Sequence, residues 1–249
     1  QNILIPRIGV FFMKFDVITI FPKIFDSFLK ESLLARAQKK KLIRLTTHDL
    51  RRWTTDKHKT VDGRPYGGGA GMVLKIEPIF KAVKSLSSSK VHKVKIRTIL
   101  LSAKGKTFTQ KDARRLSKYD QLIFICGRYE GVDERVAKYV VDEEVSIGNY
   151  VLFGGEVPAM VIVEAVSRLI PGVVAKEESI RNESFSKSYK LETRNWKLMK
   201  EHPHYTRPEV FVLKEKSFGK LRTKQLRVPP VLLSGDHKKI EEWRVKNSR

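Results

Sequence analysis

Apolar and polar positions repeat along this chain with two different periods. Phe15–Phe21 gathers Val17, Ile18 and Ile20 into a short apolar stretch that stops at Pro22, the pattern of a β-strand. From Ile24 to Lys40 the spacing lengthens. Ile24, Phe28, Leu29, Ser32, Leu33 and Ala35 fall near helical positions, with basic residues at the end where a helix dipole favours them. Leu42–Thr47 reads as a second strand. Asp49–Gly71 is polar and glycine-rich, a long loop of the kind that tends to be functional. Beyond it the pattern predicts helices at Glu77–Leu86, Gln110–Ser117, Val132–Tyr139 and Val157–Ile170, and strands at Arg97–Ser102 and Gln121–Cys126. The sum is β-α-β followed by β-α-β-α, with a glycine turn after each apolar strand. That order predicts an α/β fold with a mostly parallel sheet.

Pro171 and Gly172 end the last of these helices. Residues 173–190 are charged, contain serine and are weakly periodic, so they are expected to be a linker. Residues 191–249 carry short helical patterns rich in Lys and Arg and predict a small, mainly helical second domain. At the other end Met13 is the first methionine, and residues 1–12 read as an upstream extension of a first domain spanning 13–172. Ile8–Phe12 is apolar, but Lys14 and Asp16 interrupt it and no small-residue cleavage site follows, so no signal peptide is expected.

Composition narrows the function. Lys and Arg number 50 against 27 Asp and Glu, a formal net charge of +23 over 249 residues. The excess is clustered: Lys81–Lys118 has 12 basic residues and one acid, Arg36–Lys59 nine against two, and Phe211–Pro230 six against one. Such stretches favour a polyanionic partner whose binding weakens steeply with salt. The longest run without a charged residue, Val145–Gly155, is 11 residues. That falls short of the roughly 18 needed for a membrane-spanning helix. Cys126 is the single cysteine, which excludes a disulfide framework and a cysteine-based zinc site and fits a reducing cytoplasm.

Four glycine-containing turns carry the candidate chemistry, three of them at one sheet edge. Tyr66-Gly67-Gly68-Gly69-Ala70-Gly71 lacks the Gly-Lys-Ser/Thr of a phosphate loop and has no apolar strand before it. It reads either as a flexible turn or as backbone passing close to a ligand. Just upstream, Asp62 and Arg64 offer an acceptor and a fork of donors suited to a base edge. The strand Gln121–Cys126 runs into Gly127-Arg128-Tyr129-Glu130-Gly131. Leu101–Gly105 follows the preceding strand, and Ser146–Leu152 with Gly154 and Gly155 makes a third loop at the same edge. Ligands in parallel sheets sit at the carboxyl ends of strands, so the three loops predict one pocket. His202 and His204 are too few for a metal site alone, and Cys126, ending an apolar strand, is expected to be packed and not nucleophilic.

The strings Asp56–Tyr66, Cys126–Arg135, Ser146–Pro158, His204–Pro208 and Val228–Gly235 resemble those of the bacterial tRNA (guanine-N1)-methyltransferase family, over nearly everything from Met13 to Arg244. The resemblance implies a trefoil-knotted α/β enzyme of the SPOUT class. It implies a homodimer with its active site at the subunit interface, using S-adenosylmethionine to methylate N1 of guanosine 37, just 3′ of the tRNA anticodon. The knot rests on the resemblance alone, because general topology rules argue against threaded chains.

By matching motifs, the donor pocket is expected from Leu101, Ser102, Gly127, Tyr129, Glu130, Ile147, Gly148, Asn149, Tyr150, Val151, Leu152, Gly154, Gly155 and Pro158. Asp62 and Arg64 match a loop near the target guanine, and Arg207 a tRNA contact. Arg168 and Glu183 match the family's catalytic arginine and acid, and magnesium is a candidate accessory ion. The family often has Asp where this chain has Glu183 and Asn149, and Phe211–Arg227 is longer and more basic than the usual connection. Two rivals remain at this stage: a non-catalytic RNA-binding protein, and a knotted ribose 2′-O-methyltransferase.

Overall fold

The structure is a computed structural model. It describes residues 13–87, 94–175, 184–185, 188–190, 196–198, 202–217 and 220–248. The expected extension at 1–12 and the candidate acid Glu183 lie outside the described residues. Contacts divide the chain into two units, 1–177 and 178–249.

The first unit is built on a five-stranded sheet. Its strands are β1 (Met13–Thr19), β2 (Ile43–Asp49), β5 (Ile96–Thr107), β6 (Gln121–Cys126) and β7 (Glu143–Ser146). They run in the order β2-β1-β6-β5-β7, every neighbouring pair parallel. A two-residue pair, β3 (Asp62–Gly63) and β4 (Val73–Leu74), stands apart from it. Alternation along the strands feeds two cores. Phe15, Val17, Leu122, Phe124 and Cys126 face one side, with Ala113 and Leu116 of α4 (Gln110–Leu116) and Ala159, Ile162, Val163 and Val166 of α6 (Glu156–Ser167). Ile18, Ile20, Leu100, Ile123 and Ile125 face the other, with Ile79, Ala82 and Val83 of α3 (Ile76–Ser87) and Val136 of α5 (Glu134–Tyr139). Because β6 is flanked by β1 and β5 and covered on both faces, all six of its residues are buried.

The expected single helix over Ile24–Lys40 is broken. A 3₁₀ turn at Pro22–Phe25 leads into α1 (Asp26–Lys30) and then α2 (Ser32–Lys39). Glu31 is extended and Ser32 sits at φ 58°, which interrupts the helical ladder between them. Strand β7 was not visible in the pattern, since half of it is glutamate. In the fold Glu143 is answered by Arg97 at 3.0 Å and by Arg115 at 2.7 Å. The second unit departs from a mainly helical tail: Val210–Ser217 pairs antiparallel with Lys220–Arg227, and a short strand pair joins Ser188–Lys190 to Trp196–Leu198. The run Val210-Phe211-Val212, β-branched and aromatic, favours a strand over a helix. Helices follow at Pro230–Leu233 and His237–Asn247.

One polar group lies inside the sheet. The Asp16 carboxylate on β1 is wholly buried and accepts from Gln121 Nε2 at 2.8 Å; it contacts His48 Nε2 at 2.7 Å and Lys14 Nζ at 3.0 Å. Burial opposes its ionisation, but the hydrogen bonds and charges of His48 and Lys14 outweigh that and hold the carboxyl below its ordinary value. A lowered folded value stabilises the fold above the unfolded pKa, about 3.9, and the contribution fades as pH falls through the folded value. Asp16→Asn should therefore cost about 1–3 kcal/mol at pH 7 in urea denaturation and give a flatter loss of stability below about pH 4 than the parent chain.

Candidate active site

The carboxyl ends of β5, β6 and β7 open into one cavity of about 280 Å³. Each strand contributes the turn that follows or interrupts it. β5 pairs with Val145 at Leu101 and with Val145 again at Lys106, so residues 102–105 form a bulge within the strand. The turn after β6 carries Gly127 to Gly131, and the segment after β7 runs through Ile147 to Gly155 into α6.

All of the expected pocket residues line this cavity except Asn149, which is exposed. Leu101 and Ser102 come from β5, Gly127, Tyr129 and Glu130 from the second turn. Ile147, Gly148, Tyr150, Val151, Leu152, Gly154, Gly155 and Pro158 come from the third segment and the start of α6. Charged residues that the motifs did not single out also line it: Lys104, Arg128, Glu134 and Glu144. Lys104 Nζ donates to Glu134 Oε2 at 2.8 Å, which raises the ammonium above its ordinary value and lowers the carboxyl. Their signal was available, since Lys104 falls within the residues directly after an apolar strand.

Main chain shapes the site more than side chains do. Gly155 N–H donates to Gly127 O at 2.9 Å, and a Cβ at Gly155 would stand 2.7 Å from Cys126 Cα, so only glycine fits there. Gly148 has φ 153°, and a Cβ on it would meet the Tyr150 ring at 2.5 Å. The Tyr150 hydroxyl donates back to Ile147 O at 3.2 Å, and Ser146 Oγ donates to Gly148 O at 3.0 Å, so this loop holds itself together. The rim is apolar and open: Val151 is 87% and Phe153 94% exposed.

The glycine-rich loop is tied to the second turn. Leu74 N–H donates to Gly131 O at 3.0 Å and Glu130 N–H to Met72 O at 3.0 Å, which brings β4 beside the cavity wall. Asp62, in β3 opposite Leu74, is half-buried and Arg64 is exposed; neither lines the cavity. Arg168 follows the end of α6, exposed. Ten residues separate it from Pro158, about 15 Å along a helix, so Arg168 does not join the cavity of its own chain. Arg207 is an exposed residue of the second unit. His202 and His204 rings lie 4.5 Å apart, with Trp243 6.4 Å from His202, an aromatic cluster. Cys126 is buried, and burial pushes its thiol well above the ordinary range, which removes it as a nucleophile. Among the described residues no helix is long and apolar enough to cross a membrane.

Since Cys126 backbone blocks the space beside Gly155, Gly155→Ala must push β6 and α6 apart. The expected cost is about 1–3 kcal/mol in urea denaturation. Gly155→Ala with unchanged stability would mean that this backbone contact gives way freely.

Comparison with known proteins agrees with the motifs. A family model described as tRNA (Guanine-1)-methyltransferase TrmD matches residues 13–249. The tRNA (guanine-N(1)-)-methyltransferase of Carboxydothermus hydrogenoformans is 48% identical over 236 residues, covering 95% of this chain and 83% of the relative. The enzyme of that name from Bacillus subtilis is 46% identical, with 95% and 87% covered. That from Endomicrobium trichonymphae is 43% identical over 242 residues, with 95% and 94% covered. With its turns, its parallel sheet and these relatives in agreement, the chain belongs to the tRNA (guanine-1)-methyltransferase family.

Proposed function

We propose that this protein transfers a methyl group from S-adenosylmethionine to N1 of guanosine 37 in tRNA, acting in the cytoplasm as a homodimer with a SPOUT-type trefoil knot in residues 13–172. The observation that carries the reading is the single cavity where three glycine-bounded turns meet at one sheet edge, in a chain of this family. A non-catalytic RNA-binding protein would have no need of such a cavity.

The residues fit the donor. A cavity of about 280 Å³ is close to the small-ligand range of roughly 300–1,000 Å³. Its walls include the backbone of Gly127 and Gly154, which can hydrogen-bond an adenine and ribose between apolar side chains such as Leu101 and Leu152. When bound, the donor supplies an electrophilic methyl group on a sulfonium sulfur. The chain's own work concerns the guanine. N1 carries a weakly acidic proton, and charge moves onto O6 as that proton leaves. In this reading Glu183 takes the proton and Arg168 stabilises the charge on O6. Asp62 and Arg64 hold the base edge, and Arg207 with the paired strands Val210–Ser217 and Lys220–Arg227 holds the tRNA backbone.

The separation of Arg168 from the cavity in one chain supports a site completed by a second copy. So does the apolar surface formed by Phe153, Val157 and Val161, which are 94%, 52% and 42% exposed.

The direct test is labelled S-adenosylmethionine with unmodified tRNA, followed by nucleoside analysis. The expected product is 1-methylguanosine at position 37. A methyl on ribose would select the 2′-O reading, and no incorporation would leave RNA binding alone. Repeating the assay in EDTA tests the accessory magnesium ion. Glu183→Gln should bind donor and tRNA yet lose about 10²–10⁴-fold in single-turnover rate. A near parental rate would remove Glu183 from the mechanism and leave Glu130 as the next candidate. Arg168→Ala and Gly148→Trp chains, each inactive alone, should regain up to about a quarter of the parental sites when their subunits are mixed, because a two-fold heterodimer restores one whole site. No recovery despite subunit exchange would place Arg168 and the cavity in the same chain's site.

A further inference from the structure

Beneath the cavity lies a carboxylate that the reaction does not use. Glu156 opens α6, and its side chain is 1% exposed. It does not line the cavity. Its Oε1 accepts from Thr19 Oγ1 at 2.6 Å, from the end of β1; its Oε2 accepts from Arg128 Nε at 2.9 Å, from the turn after β6. Thr19 Oγ1 in turn accepts from Phe21 N–H at 2.9 Å. The Arg128 guanidinium lies 4.8 Å over the Phe21 ring. Arg128 itself lines the cavity, and its backbone bridges antiparallel to Gly154. One buried acid thus ties together side chains from three chain segments: the end of β1, the turn after β6 and the start of α6.

A buried ion pair is weak evidence for stability, since desolvation consumes much of its attraction. What it does supply is a fixed geometry: two charge-assisted hydrogen bonds that join the end of β1 and the turn after β6 to the first turn of α6. We infer that Glu156, with Thr19 behind it, is a positioning residue. It holds Arg128, and through Arg128 the Gly127–Gly131 turn, at a set distance from the Gly154–Gly155 wall, and so sets the width of the donor cavity. The inference rests on the donor reading of that cavity. Glu156 touches no substrate and acts on binding, not on the chemical step.

The test is calorimetry of S-adenosylmethionine binding together with steady-state kinetics on the full chain. Glu156→Gln keeps the size but leaves a neutral group against the guanidinium. Its donor Kd and KM should rise about tenfold or more, with kcat at saturating donor within about threefold of the parent. Thr19→Val removes the hydroxyl's bonds to Glu156 and from Phe21 N–H and should shift Kd the same way by about threefold, a smaller effect because the Arg128 contact stays. The effects of Glu156→Gln and Arg128→Gln on Kd should combine to less than their product, since both break one link. Should Glu156→Gln fail to fold, Thr19→Val and Arg128→Gln decide. Folded variants with parental donor Kd, or an equal fall in kcat without any change in Kd, would overturn the inference. Absence of donor binding by the parent chain would instead defeat the reading of the cavity.

Discussion

Everything at the functional edge depends on main chain meeting main chain. The hydrogen bond from Gly155 N–H to Gly127 O, with no room for a Cβ between Gly155 and Cys126, fixes how near α6 comes to the end of β6. The sheet supplies the other half of the constraint. Burial of β6 on both faces leaves its carboxyl end no freedom to drift, so the turn at Gly127 leaves from a fixed point. The cavity is the space left over when these backbones have packed as closely as they can.

Electrostatics follow a similar economy. Asp16, Asp112, Glu143 and Glu156 are buried or half-buried, and each is bound to a cation or a hydroxyl within the fold. A chain at +23 carries a basic excess that these internal pairs leave unchanged, which suits a polyanionic partner.

Much of this was legible in the chain itself, and the failures have identifiable causes. Gln121–Cys126 was read with the bounds it has in the fold because six apolar or buried residues between turn signals leave few alternatives. β7 escaped because Glu143 is made tolerable only by Arg97 and Arg115, partners that periodicity cannot see. The break at Glu31–Ser32 escaped because a single left-handed residue leaves the apolar spacing intact. The pocket turns were legible since glycine marks close approach. Asn149 looked the same as its neighbours in sequence, and only the loop's self-bonding through Ser146, Gly148 and Tyr150 settles which side chains turn inward. That Arg168 lies beyond reach of its own cavity could be had only from knowing which end of α6 abuts Gly127.

α6 also has a mechanical meaning. It is locked at its first turn by Gly155 and Glu156, and its 12 residues extend about 18 Å before Arg168 begins. It is a lever with its fulcrum at the cavity. A tilt of about 5° at the locked end would carry the far end about 1.5 Å, beyond the ~1 Å misplacement that can cost a reaction 10²-fold. Small changes in how the first turn is packed would thus be magnified at the opposite tip of the helix, through the stiffness of one rod.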